Sequence, residues 1–119
     1  YGVLLDMSSA KGAQFRMEGM SNQFAPSVVQ HIWSTANNLG YGNYFINQNA
    51  NSIIDDHYYV NTMNGTPSID IIWLDPSTKN GFAPHWHTLN DNMSIIDKAT
   101  MKAVGQTLLQ VIYNESPNF

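Results

Sequence analysis

Near its start the chain runs through Val3-Leu4-Leu5 and stops on Asp6. A run that is apolar on both faces suits a central parallel strand, so residues 1–7 are predicted as one. AQFRMEGM (13–20) alternates between apolar and polar and predicts a second strand, with Glu18 as a surface charge on a sheet edge. Over 25–42 the period becomes helical. Val28, Val29, Ile32, Trp33, Ala36 and Leu39 fall on one face, Pro26 occupies the first turn, and Gly40 ends the helix. NYFIN (43–47) predicts a third strand. Residues 53–65 begin as a loop and turn into a short helix ending at Gly65. PSIDIIWLD (67–75) is the clearest strand, β-branched and bounded by Pro67 and Pro76. A long polar stretch, 75–92, follows. The last helix runs from about Lys98 to Asn114, with Asp97 as N-cap and Met101, Val104, Leu108, Val111 and Ile112 as its buried stripe.

This order predicts an α/β fold, a three-layer α/β/α sandwich with a mostly parallel mixed sheet. In such sheets chemistry gathers beyond the carboxyl ends of the strands. Asp6 and the loop after Leu74 lie at such ends, and the loop carrying Asp55 and Asp56 is able to reach the same edge.

Composition narrows the function. The 119 residues suit one compact domain, 1–119. Charged residues make up only 12%, about half the usual share. A surface that poor in charge relies on Asn, Gln, Ser and Thr, or is covered by something outside the chain. The net charge is −4 and the five Lys and Arg are scattered, which excludes the basic footprint of a nucleic-acid binder and attraction to an anionic membrane. Without cysteine there is no disulfide and no thiolate metal ligand. No apolar run approaches the ~18 residues of a transmembrane helix, and no leader pattern is present. The chain enters its first apolar run with no loose polar residues, so it reads as a piece of something longer.

Three clusters are candidates for chemistry. In extended chain His85 and His87 point the same way, so both are able to reach one metal, and imidazole with carboxylate suits zinc. The alternative is that they only satisfy loop hydrogen bonds. In Asp55-Asp56-His57, adjacent carboxylates repel, and a desolvated one has a raised pKa useful for proton transfer. The alternative is an exposed turn with Asp56 capping the next helix. Asp6 ends a buried strand and there needs a cation, a metal or strong donors, unless that strand end is solvated. His31 reads as a surface residue, Trp33 and Trp73 as core, and Asp70 as a buried structural acid of unknown partner.

Together, LLDM (4–7), IIDDHYYVNTMNGTPSIDII (53–72), WHTLNDN (86–92) and IID (95–97) before the last helix resemble the zinc aminopeptidase and glutaminyl cyclase superfamily. The resemblance runs from Leu4 to Glu115. GYGNYFIN (40–47) and DDHYYVN (55–61) look most like the bacterial, animal-type glutaminyl cyclases. It implies that His87 is a zinc ligand and Trp86 a wall of the substrate pocket. His85 has no counterpart in the pattern. Asp6 would bind a second zinc in a two-zinc aminopeptidase, or join Asp55 in a catalytic hydrogen-bond network in a one-zinc cyclase. Asp56, His57, Thr88 and Asp91 would support these groups from behind. The substrates implied are peptide N-termini, and the location implied is periplasmic or secreted, with a lipid anchor in some members.

Ser8 and Ser9 depart from the pattern, which has an apolar residue and Gly there. The primary aspartate, first histidine and Glu-Glu pair of the pattern should lie upstream, and neither Glu18 nor Glu115 matches that pair. The chain therefore reads as the C-terminal part of a single domain, inactive and weakly zinc-binding by itself, with its missing N-terminal half as partner. Homo-oligomerisation is left open. Three readings follow: a cyclase, in which zinc polarises the γ-carbonyl of an N-terminal glutamine; an aminopeptidase; and a non-catalytic binding module that kept the fold.

Overall fold

Four short strands pair two by two in the computed structural model, which describes residues 1–115. Strand β1 (Gly2–Asp6) runs parallel to β4 (Ser68–Ile72), in a register from Gly2 opposite Ser68 to Asp6 opposite Ile72. Strand β2 (Phe15–Met17) runs parallel to β3 (Phe45–Asn49), with an irregularity between Phe15 and Met17. Four helices complete the α/β fold: α1 (Gly19–Phe24), α2 (Pro26–Asn38), α3 (Asp56–Tyr59) and α4 (Lys98–Asn114). Helix α3 continues into a π-helical turn, Val60–Asn64, which Gly65 ends at φ 70°, a left-handed conformation suited to glycine.

All five β4 residues are buried, as a central strand of a parallel sheet requires. The core joins α2 to both strand pairs. The Trp33 and Phe45 ring centroids lie 5.3 Å apart and those of Phe15 and Phe45 5.4 Å apart. Trp33 Nε1 donates to the Phe15 and Ile46 carbonyls, so the indole buries its apolar body without orphaning its N–H. Val29, Ile32, Ile69, Ile71, Val104 and Val111 fill the space around it.

Three expectations are corrected. The 13–20 strand ends at Met17. Glu18 is a fully buried N-cap of α1 rather than a surface charge, because its carboxylate takes the free N–H groups of Met20 and Ser21. Helix α2 stops at Asn38, so Leu39 is 41% exposed instead of facing the core. Helix α4 buries Thr100, Ala103, Val104, Thr107 and Val111, leaving Met101 50% and Ile112 64% exposed. Small residues let α4 pack closely on α2, and the threonine hydroxyls are satisfied inside. Thr100 Oγ1 donates to the Ala10 carbonyl and to Asp97, and Thr107 Oγ1 to the Ala103 carbonyl. Asp97 caps α4 as expected. No helix among the described residues is long and apolar enough to cross a membrane.

Candidate active site

In a parallel pair, residues opposite each other project to the same face, as do residues two apart on one strand. Asp70 lies opposite Leu4, so Asp70, Leu4 and Asp6 share a face of the β1–β4 pair. Helix α3 packs against both strands and brings Asp55 to that face. The Asp55 carboxyl stands in hydrogen-bonding reach of both Asp6 and Asp70. Asp55 thus links the acid that ends β1 to the acid buried within β4.

Asp55, and not Asp56, caps α3: it is extended, and its carboxylate accepts from the Asp56 amide at 2.8 Å. Asp56 is the first helical residue and is exposed. Burial raises the pKa of Asp6, and its hydrogen bond to Asp55 raises it further. Burial also pushes Asp70 up, to about 9, with repulsion from Asp55 adding to it. Neither Asp70 carboxylate oxygen meets an N–H or O–H donor among the described residues. Its partner is another acid, so a hydrogen bond exists there only while one of the two keeps its proton.

Behind this cluster lies His57, fully buried, with Nε2 2.7 Å from Glu18 and Nδ1 3.7 Å from Asp70. Burial pushes the Glu18 carboxyl up. The His57 ring and the amides of Met20, Ile53 and Ser21 outweigh that and hold it at about 2. Asp70 is therefore buried as expected, and its neighbours are His57 and Asp55.

The 75–92 stretch is ordered by its own turns. The Thr78 hydroxyl donates to the Phe82 carbonyl at 2.7 Å, and Leu74 bridges Phe82. Further on, the amide and hydroxyl of Thr88 both donate to the His85 carbonyl, at 3.1 and 2.7 Å. That turn separates the two histidines, which extended chain would have put on one side. His85 is buried against Trp73, their ring centroids 5.8 Å apart, whereas His87 is exposed at φ 53°. Trp86 is stacked between Phe82, at 4.4 Å and 9°, and His87, at 3.8 Å and 13°. Asp91 is exposed and contributes its amide to the Thr88 carbonyl.

Apart from glycines, only Met7 and His87 among the described residues have positive φ. One follows Asp6 and the other is the candidate ligand, so backbone strain falls at His87 and next to Asp6. A cavity of about 320 Å³ connects Asp6 with His85 and Asp91. A second, of about 300 Å³, lies between Ile53 and Phe82, with Arg16 in its wall.

Sequence reasoning missed Glu18, the Asp70–His57 proximity and Phe82. An acid just before Gly19, followed by Met20 and Ser21, was the available sign that Glu18 opens a helix.

Among the described residues no group of three His, Asp or Glu side chains comes together to hold a metal. Catalytic zinc takes about three protein ligands, so these residues do not make a complete site. Calorimetry of the 119-residue chain is expected to give a zinc Kd weaker than about 1 μM. Tighter one-to-one binding would mean that the ligand set is complete within it.

A parallel strand pair with acids on one face, beside a loop in which His87 has positive φ, marks an α/β domain. Peptidase family M28 matches residues 1–112, and the chain belongs to that family. Among solved structures, the glutaminyl cyclase of Tannerella forsythia is similar at 52% identity and TM-score 0.94, over 97% of this chain and 40% of that one. A Zn-dependent exopeptidase from Parabacteroides distasonis is 53% identical with TM-score 0.95, over 97% and 39%. The glutaminyl cyclase of Bacteroides thetaiotaomicron is 48% identical with TM-score 0.94, over 98% and 39%. The chain thus spans about 40% of the length of the Tannerella enzyme. No curated protein sequence matches it.

Proposed function

We propose that these residues are the C-terminal part of a zinc-dependent glutaminyl cyclase, which converts the N-terminal glutamine of peptides to pyroglutamate and releases ammonia. One observation carries the choice: Asp55, at the cap of α3, stands in hydrogen-bonding reach of Asp6, and burial and Asp55 raise the Asp6 pKa, as a proton-transfer role requires. The similarity to two glutaminyl cyclases supports the same reading.

The reaction needs one proton taken up and one delivered. The α-amine attacks the γ-amide carbon; a C–N bond forms and the amine gives up a proton. The γ C–N bond then breaks and the departing NH2 takes a proton to leave as ammonia. Asp55 accepts the first proton, and Asp6, whose pKa burial and Asp55 raise, supplies the second. Trp86 lines the substrate pocket, held in place by its stacks on Phe82 and His87.

His87 is proposed as one zinc donor, with the others supplied by the rest of the domain. That part is also proposed to cover the outer face of α4, where Met101, Leu109, Ile112 and Tyr113 stand exposed. The 119 residues alone are then inactive. An aminopeptidase is the second reading, favoured by the likeness to a Zn-dependent exopeptidase. The test is to assay the protein with its whole domain on Gln-peptides and Leu-peptides. Ammonia release without peptide cleavage supports the cyclase, and release of free amino acids overturns it.

A further inference from the structure

Glu18 accepts five hydrogen bonds while fully buried. Two come from the Met20 and Ser21 amides, at 2.7 and 2.8 Å, and one from the Ser21 hydroxyl, at 2.8 Å. These belong to α1. The other two come from the Ile53 amide, at 2.9 Å, and from His57 Nε2, at 2.7 Å. Ile53 and His57 lie two residues before and two residues after Asp55. One carboxylate therefore grips the Asp55 segment from both sides. Gly19 lets α1 come this close, since a Cβ there would stand 2.9 Å from the Ser52 amide nitrogen.

We propose that Glu18 is a positioning residue, fixing the 53–57 segment through the Ile53 amide and the His57 ring so that Asp55 meets Asp6 and Asp70. This rests on the cyclase reading for the role of Asp55. An ionised carboxylate only accepts, so His57 carries its proton on Nε2. In the neutral ring Nδ1 is then a bare acceptor, turned toward Asp70. Glu18 thereby also sets the tautomer of the ring behind the acid cluster. Helix capping alone uses only the α1 donors and leaves Ile53 and His57 unexplained.

The test uses the protein with its whole domain and the variant Glu18→Gln, of nearly the same shape. The single Gln oxygen keeps the three bonds made at Oε1, from His57 Nε2 and from the Ser21 amide and hydroxyl, and the Gln NH2 then faces the Met20 and Ile53 amides, which are themselves donors. The grip on the Ile53 side is therefore lost while His57 keeps its proton on Nε2, and the variant is expected to show faster hydrogen exchange at the Ile53 amide with the ring ¹⁵N shifts unchanged. A shifted catalytic group costs up to about 100-fold in rate, so kcat on Gln-peptides is expected to fall about tenfold or more while KM stays within about threefold. His57→Gln loosens the same grip from the other side and is expected to show the same split, which decides the matter should Glu18→Gln fail to fold. Unchanged hydrogen exchange at the Ile53 amide, or a kcat within about twofold of the parent, would overturn the proposal. A parent protein inactive on Gln-peptides overturns the cyclase reading instead, and exchange at the Ile53 amide then decides the positioning alone.

Discussion

Asp55→Asn is expected to lower kcat/KM on Gln-peptides by about 10²–10⁴-fold, the range of general acid–base catalysis. The fold should hardly notice. The native carboxylate accepts from the Asp56 amide as cap of α3, and an Asn amide oxygen accepts the same bond. Asn and Asp are near-equivalent caps, so the change in unfolding free energy should stay within about 1 kcal/mol. Chemistry is another matter. Asn neither takes a proton from the attacking amine nor shares one with Asp6. Continuous ammonia assays alongside thermal melts separate the two effects. Activity within about tenfold of the parent, at unchanged stability, would remove Asp55 from the reaction and with it the proposed proton route.

Asp55 was legible in the sequence, as half of an adjacent acid pair, because side-chain chemistry is written residue by residue. Which acid of the pair belongs to the site came only from the family resemblance, since residue by residue it depends on where α3 starts. Asp55 is the extended cap and Asp56 the first helical residue. The same limit applies to HWH. Alternation puts His85 and His87 on one side of an extended chain, but the turn closed by Thr88 on the His85 carbonyl sends them apart.

Elements defined by local signals came out nearly as expected: β4 through its β-branched run, and α4 through Asp97. What failed was non-local. Glu18 follows an alternating stretch and looks like a strand residue, yet the partners that bury it lie 35 and 39 residues away. The buried face of α4 failed for a different reason. Thr100 and Thr107 count as polar in a periodicity, but their hydroxyls bond within the structure and leave small, apolar surfaces for packing.

Asp70→Asn is expected to stabilise the protein, by an amount that grows with pH. The Asp70 carboxyl is pushed up to about 9 by burial and by Asp55, from 3.8 in the unfolded chain. The folded state thus holds this proton more tightly than the unfolded state does. Stability linked to Asp70 is greatest below about pH 4 and is lost as pH rises through the window up to about 9. Glu18 has the opposite sign. Held at about 2 against 4.5 when free, it contributes above pH 4.5, and that contribution is lost as pH falls toward 2. Stability linked to these two acids therefore peaks near pH 4 to 5. The substituted asparagine stays neutral at every pH and donates an N–H to Asp55, so the change removes only the falling limb. Urea unfolding of parent and variant should nearly coincide at about pH 4 and separate by about 1–3 kcal/mol at pH 8. The opposite result, a variant less stable throughout, would mean that His57 keeps Asp70 ionised as its ion-pair partner. At 3.7 Å the ring is too distant for the hydrogen bond that such pairing needs, and the neighbouring carboxyls push the other way.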